Sequence, residues 1–247
     1  MGFFGLFGNK SPTAKIDKLT KKMLNEHHQQ QVRQEAMQEL VAMDSPEAIG
    51  ALIKRLGVNF RDTIKNEQEK RWIHQTLVEY FADRAVEPLI DFIRTGETIS
   101  AAILVLRKLS SDELIEALLC EVLSGYDPDD HRTFEIRLQL VDALSDNISN
   151  ESIQAMLPYL LDHDDGVRLK VLQVVESSIT KEHPLFEKAQ DGLIKLLMDP
   201  MASGAIVRKA AEQISRFDAD LREHVEKLQP FIPDGFTLGS NGRLRKG

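Results

Sequence analysis

The fold is decided by QVRQEAMQEL at residues 31–40, followed after a short turn by AIGALIKRL at residues 48–56. Apolar residues recur every three or four positions in both segments, so each segment predicts a helix with one apolar face. Between them, Ser45 is a suitable N-cap and Pro46 a suitable first helical residue, because the first turn of a helix leaves its amide hydrogens unbonded. The stretch therefore predicts two helices joined by a tight turn.

This pattern of two helices joined by a turn recurs along the chain, although its residues vary from copy to copy. The segment AVEPLI at residues 85–90 repeats the second helix, and further pairs of apolar stripes follow it. The positions equivalent to Arg33 are 33, 70, 99, 137, 168 and 208. They are on average about 35 residues apart, a period typical of stacked helical hairpins. We therefore expect about six hairpins.

The residues around Arg33 and its equivalents resemble the inner-helix pattern of HEAT repeats, in which a Val-Arg pair precedes a small residue and then an apolar one. The matching copies are Val32-Arg33…Ala36, Val167-Arg168…Val171 and Val207-Arg208…Ala211. The resemblance covers roughly residues 28–229 and implies an all-α fold, an α-solenoid of about six HEAT-like helical hairpins. HEAT arrays serve as scaffolds in many systems. Together with the absence of catalytic signals described below, this predicts a non-catalytic scaffold that binds a protein or peptide partner.

Two interpretations of the recurring arginines are open. In HEAT arrays the arginine usually pairs with an acid that ends the previous helix, which implies Asp162 or Asp164 for Arg168 and Asp199 for Arg208. The second interpretation is that the arginines reach into a groove and hold an anionic partner. The candidate partner-binding residues are three of these arginines and the sole tryptophan with its basic neighbour: Arg71, Trp72, Arg137, Arg168 and Arg208. For Trp72, half-buried packing and a ligand platform are both open.

An alternative function is an enzyme or enzyme accessory of the HEAT-like class, similar to the bilin lyases or the alkylbase DNA glycosylases. The sequence itself offers little chemistry. No histidine lies three or four residues from another, so helical metal chelation is not indicated. Cys120 lies in an apolar run with nothing nearby to activate it. We expect no catalytic residue, no metal and no cofactor.

The charge is unevenly distributed. The net charge is −8, yet residues 1–22 carry +4 and residues 240–247 carry +3, which leaves −15 for the chain between them. An acidic body would repel phosphates, so we expect no nucleic-acid partner. A monomer is a separate expectation. The lone Cys120 excludes an intrachain disulfide and favours a reducing compartment, which predicts a cytoplasmic protein. No stretch approaches the ~20 apolar residues of a membrane span.

The pattern divides the chain into three parts. Residues 1–12 are an apolar N-terminal segment, residues 13–229 the HEAT-repeat solenoid, and residues 230–247 an irregular C-terminal extension. Within the extension, Asn241-Gly242 between short apolar segments suggests a hairpin-like turn. We expect it to pack over the last repeat and to leave the basic tail free.

The N-terminal segment carries a cluster of four large apolar residues: Phe3, Phe4, Leu6 and Phe7. Three interpretations are open: a plug that caps the solenoid, a peripheral membrane anchor aided by the lysines that follow, and a docking peptide. A membrane-peripheral location is therefore a second prediction beside the cytoplasmic one.

Overall fold

The structure is a computed structural model in which residues 11–247 are described, and it is predominantly helical, with almost no sheet. The helices are α1 (Pro12–Met23), α2 (Gln30–Met43), α3 (Pro46–Leu56), α4 (Thr63–Gln75), α5 (Val86–Thr95), α6 (Ser100–Leu109), α7 (Asp112–Ser124), α8 (Phe134–Leu144), α9 (Asn150–Met156), α10 (Asp165–Ser178), α11 (Phe186–Leu197), α12 (Gly204–Phe217) and α13 (Val225–Leu228). Two short strands, β1 (Phe236–Leu238) and β2 (Leu244–Lys246), follow them. The prediction of an all-α fold is confirmed.

Short 3₁₀-helical and π-helical turns join several of these elements. A π-helical turn, Thr76–Phe81, and a 3₁₀ turn, Ala82–Ala85, connect α4 to α5. A 3₁₀ segment, Leu157–Leu161, continues α9. Further 3₁₀ turns are His131–Thr133, Arg222–His224 and Gln229–Phe231.

Side-chain caps explain where the helices begin. The Ser45 hydroxyl accepts a hydrogen bond from the Ala48 amide (3.3 Å), and Pro46 occupies the first position of α3, as the sequence predicts. Ser203 caps α12 in the same way, and Asp164 caps α10 by accepting from two amides. Each cap satisfies amide hydrogens that no carbonyl of the same helix can reach.

The described residues form two compact units, which divide between Ile115 and Glu116 inside α7. In the first unit, α1 packs on α2 and α3, α3 packs on α5, and α5 packs on α6. Its core consists mainly of aliphatic residues from the apolar stripes, with Met23, Leu40 and Leu52 completely buried.

The second unit arranges alternate helices side by side. α8 packs on α10 and α10 on α12, while the 3₁₀ segment after α9 packs on α11. Its buried core includes Leu140, Leu160 and Leu193. Helices two apart in the chain are thus neighbours in space within this unit.

The C-terminal residues form a β-hairpin that packs on α12. β1 and β2 are antiparallel, and the turn between them contains Gly242 at φ +73°. The basic tail is not free, which corrects the expectation above: Lys246 pairs with Glu212 (Nζ–Oε1 2.9 Å) and Arg245 with Asp218 (Nη2–Oδ1 3.0 Å). The tail is held because the carboxylates of α12 and its C-cap face it.

Candidate functional site

Two helices of the first unit leave a groove between them. Arg84, just before α5, forms an ion pair with Asp44, just before α3 (Nη1–Oδ1 2.6 Å). At the opposite end, a Cβ placed on Gly57 would lie 2.8 Å from the ring of Phe92, so the end of α3 lies against α5. α3 and α5 therefore run in the same direction. The groove along them has a volume of about 710 Å³, within the range of ligand and peptide pockets.

The lining residues recur at helical spacing on both walls. On α3 and its cap they are Asp44, Pro46, Glu47, Ile49, Gly50 and Lys54; on α5 and its preceding turn they are Arg84, Glu87, Pro88, Asp91, Phe92 and Thr95. Residues three and four apart share one face of a helix, so each wall is a continuous stripe. The groove thus runs along the two helices and not across them.

The floor of the groove is apolar and has an open position at its centre. Ile49 is almost completely buried, and Phe92 is half-buried. A Cβ added at Gly50 would meet no atom within 4 Å. Because Gly50 has no side chain, the α3 wall leaves room there for a side chain from another molecule.

The rim of the groove is acidic. Four carboxylates line it against two basic groups, and one of those, Arg84, is already paired with Asp44. Glu47, Glu87 and Asp91 form no ion pair with any residue in the described range 11–247. A hydrogen bond from its own backbone amide and one from Ser45 lower the pKa of Glu47, so this carboxyl group is ionised at neutral pH. The rim therefore offers three carboxylates without cationic partners.

Unusual backbone surrounds the start of the groove. Among the described residues, three that are not glycine have positive φ: Asp44 (46°), Ala82 (47°) and Asp218 (47°). Asp44 lines the groove, and Ala82 lies between the π-helical turn and Arg84. Aspartate tolerates the left-handed region, whereas Ala82, with ψ −124°, occupies a region that costs of order 1–3 kcal/mol. The strained turn redirects the chain so that α5 begins beside α3.

A buried network fixes α3 against its other neighbours. Glu69 of α4 accepts from Arg33 of α2 (Nη2–Oε1 2.7 Å) and from Arg55 of α3 (Nη2–Oε2 2.9 Å). The Phe60 ring lies 3.8 Å from the Arg55 guanidinium carbon, and the Val58 carbonyl oxygen accepts a further bond (2.7 Å). Burial lowers the pKa of Arg55, and the Glu69 carboxylate opposes that effect. The network joins three helices through one carboxylate.

Arg137 and Arg168 are buried in the second unit, at 0% and 1% exposure. Arg137 forms a two-pronged pair with Asp162 (Nε–Oδ2 2.6 Å, Nη2–Oδ1 2.9 Å). Arg168 pairs with Asp199 and with Asp165 (Nη1–Oδ1 3.0 Å). Both guanidinium groups are thus occupied by carboxylates of the chain and leave no exposed face for a partner.

Two of the aspartates predicted to pair with a recurring arginine do so, but each pairs with a different arginine from the one predicted. The pattern assigned Asp162 or Asp164 to Arg168 and Asp199 to Arg208; the structure pairs Asp162 with Arg137 and Asp199 with Arg168. The His163 amide donates to the Pro128 carbonyl oxygen (2.9 Å). This bond brings the end of the 3₁₀ segment that continues α9 back to the turn before α8. Each acid therefore reaches the first helix of its own hairpin.

The remaining candidate residues lie at different places. Arg71 is exposed and Trp72 half-buried, side by side on α4, and Arg208 is exposed on α12. Their partner-binding role stays a prediction. The candidate membrane or cap contacts Phe3, Phe4, Leu6 and Phe7 lie outside the described residues.

The groove residues were not predicted from the sequence. The one available signal was Gly50 within the helical segment AIGALIKRL, since a glycine in a helix costs ~1 kcal/mol relative to alanine and often has a packing or functional reason. The repeat of the second helix at residues 85–90 indicates which helix lies beside α3, but nothing in the sequence pattern indicates that a groove opens between the two.

The described residues 11–247 contain no helix that is long and apolar enough to cross a membrane. They also contain no group of three or more His, Cys, Asp and Glu side chains arranged to hold a metal ion. Burial raises the pKa of Cys120 to about 11, so its thiol is protonated at neutral pH. No family model, no curated protein and no solved structure matches the chain.

Proposed function

We propose that this protein is a non-catalytic scaffold of HEAT-type helical hairpins that binds a protein or peptide partner in the groove between α3 and α5. The groove itself carries the proposal. It is about 710 Å³ in volume, has an apolar floor at Ile49 and Phe92, and is open at Gly50. Apolar concave surface with a polar rim is typical of binding sites.

The repeat character of the scaffold is supported by the packing within each unit. Alternate helices are neighbours, as with α3 and α5 in the first unit and α8, α10 and α12 in the second. Stacked hairpins have this property because each hairpin places its first helix on the next first helix and its second on the next second. The repeated arginine–carboxylate pairs, Arg137 with Asp162 and Arg168 with Asp199, are a further feature shared by successive hairpins.

The shape of the groove favours a helical occupant. Its two walls are parallel helices whose lining residues follow the helical repeat from end to end. A helix laid between them would present anchors at positions i, i+3, i+4 and i+7 to the floor, the arrangement used in helix-in-groove recognition. One anchor would fill the open space at Gly50, where the wall has no side chain.

The proposal is tested by site-specific photo-crosslinking in the cells that express the protein. Lys54, which lines the groove from an exposed position on α3 and leaves the space at Gly50 open, is replaced by the photoreactive residue p-benzoylphenylalanine. The exposed Gln154 of α9 is replaced in the same way as the matched control. We expect light-dependent adducts of discrete higher mass from position 54 and none of the same mass from position 154.

Circular dichroism of both purified variants checks that they remain helical. The absence of adducts from position 54, or the same adducts from both positions, would contradict partner binding in the groove.

A further inference from the structure

We infer that the occupant of the α3–α5 groove is a positively charged amphipathic helix of a partner protein, with lysine or arginine on both sides of an apolar stripe. This inference rests on the proposed function and specifies its partner. The charges on the two walls of the groove carry it.

The unpaired carboxylates stand on both walls. Glu87 and Asp91 lie one helical turn apart on α5, and Glu47 lies on α3 near the start of the groove. A helix between the walls would place its two flanks beside these two sets of carboxylates while its apolar stripe faces Ile49 and Phe92. Basic residues on one flank would then meet Glu87 and Asp91, and a basic residue on the other flank would meet Glu47.

Glu47, Glu87 and Asp91 have no cationic partner within the described residues. Elsewhere, surface acids such as Asp142, Asp191 and Glu212 pair with lysines of the same unit. Glu87 and Asp91 instead repel each other, because like charges four residues apart on a helix are unfavourable. A cationic partner would remove that repulsion. It would therefore bind more tightly to this rim than to one whose carboxylates were already paired with lysines of the chain.

Anionic occupants fit the groove poorly. The headgroups of an acidic membrane and the phosphates of nucleic acid would meet the carboxylates of Glu47, Glu87 and Asp91 at close range. The basic groups do not offset this, since Arg84 is held by Asp44 and Lys54 is a single exposed lysine on one wall. The groove therefore favours a positively charged partner.

Two synthetic 15-residue helical peptides with the same leucine stripe are the probes, one with lysine on both flanks and the other with glutamate. Both carry fluorescein, and binding to the full chain is followed by fluorescence anisotropy at low and at physiological salt. We expect the lysine peptide to bind at least tenfold more tightly than the glutamate peptide.

Charge-reversal variants distinguish the groove from general attraction to an acidic protein. The groove variant combines Glu87→Lys with Asp91→Lys. The control combines Glu187→Lys with Asp191→Lys, which has the same residue types, the same spacing and the same net charge at exposed positions of α11, where Asp191 forms an exposed pair with Lys195. We expect the groove variant to weaken lysine-peptide binding at least tenfold and the control to change it less than twofold.

A groove-filling variant tests the apolar floor. Gly50→Leu places a side chain in the open space, and we expect it to weaken lysine-peptide binding at least tenfold while thermal unfolding shows a folded protein. Equal loss in the groove and control variants, or no loss with Gly50→Leu, would overturn the inference.

Other results would assign the groove to a different occupant and overturn the inference. These are equal binding of both peptides, binding of neither, and self-association of the chain in sedimentation that Gly50→Leu abolishes. A chain without residues 1–10 that binds the lysine peptide at least tenfold more tightly would assign the groove to that segment. In each case the crosslinking at position 54 decides separately whether the groove binds a protein.

Discussion

Arg137 illustrates what a recurring arginine does in this protein. Its guanidinium group is completely buried, and besides Asp162 it contacts the Asp130 carbonyl oxygen (Nη1–O 2.7 Å) and the Thr133 hydroxyl (Nη1–Oγ1 2.6 Å). One side chain thus holds the turn before α8 and the end of the following helix together. Removal of one partner from such a pair leaves an uncompensated buried charge, which costs far more than the pair contributes on a surface.

The Asp162→Ala substitution leaves Arg137 without its counter-charge. We expect the free energy of unfolding, measured with urea, to fall by roughly 3–5 kcal/mol. The control is Asp142→Ala, because Asp142 forms an exposed ion pair with Lys170 in the same unit, and surface pairs contribute only about 0–1 kcal/mol. Similar losses in the two variants would show that burial of the Arg137–Asp162 pair carries no special cost.

Tyr159 makes stability depend on alkaline pH. Its hydroxyl donates to the Leu123 carbonyl oxygen and to that of Tyr126 (2.9 Å), and burial raises the pKa of Tyr159 to about 12. In the unfolded chain a tyrosine ionises near pH 10. Between pH 10 and 12 the unfolded state therefore holds fewer protons than the folded state, so the stability present below pH 10 is lost as pH rises.

The measurement for Tyr159 is urea unfolding at pH 8 and pH 11. Tyr159→Phe should cost about 1 kcal/mol at pH 8 through the lost hydrogen bonds and should show a smaller decline from pH 8 to pH 11 than the native protein. Tyr80→Phe is the control, since Tyr80 is 54% exposed. An unchanged decline in Tyr159→Phe would contradict the assignment.

At the scale of elements, α3 and α5 become a site because of how they meet. The ion pair of Asp44 with Arg84 joins their starts, and Gly57 allows Phe92 to lie against the end of α3. The strained turn at Ala82 sets where α5 begins. The carboxylates of both helices then face one gap, although each helix alone is an ordinary amphipathic one.

Two glycines of the α3 segment should respond to alanine in opposite directions. Gly50→Ala should raise the free energy of unfolding by ~0.5–1 kcal/mol, because alanine favours the helix and its Cβ meets no atom within 4 Å. Gly57→Ala should lower it, because the new Cβ would lie 2.8 Å from the Phe92 ring and 3.2 Å from the Thr98 carbonyl oxygen. Thermal unfolding of both variants measures this, and the same sign for both would refute the described walls.

At the scale of the whole molecule, charge limits the range of partners. The net charge is −8, and the basic residues of the C-terminal tail are engaged by carboxylates of the same unit, as Lys246 is by Glu212. An acidic protein repels polyanions at long range and attracts cationic partners, with both effects screened by salt. The chain as a whole therefore favours the same class of partner as the groove.

The acidic body predicts that nucleic acid is not bound. Titration of the full chain into fluorescein-labelled duplex DNA and single-stranded RNA at 50 mM salt should give Kd weaker than ~100 µM, the weak end of non-specific binding. A basic DNA-binding domain measured in parallel shows that the assay detects binding. Tighter, salt-sensitive binding by this chain would revive the glycosylase-like alternative.

The helices themselves follow from local patterns in the sequence. The stripes of residues 31–40 and 48–56 place α2 and α3, Ser45 and Pro46 begin α3, and Asn241-Gly242 predicts the turn of the C-terminal hairpin. These features depend on residues within a few positions of one another, so spacing and capping preferences suffice to predict them.

Tertiary structure decided the rest, because it depends on contacts between residues far apart in the chain. Glu69 is 36 residues from Arg33, and no local pattern marks it as the carboxylate that joins three helices. The groove exists only once the turn at Ala82 sets α5 parallel to α3, which brings Glu87 and Asp91 opposite Glu47. Sequence periodicity determines which face of a helix is apolar, but the neighbour that this face meets is determined by packing across the whole unit.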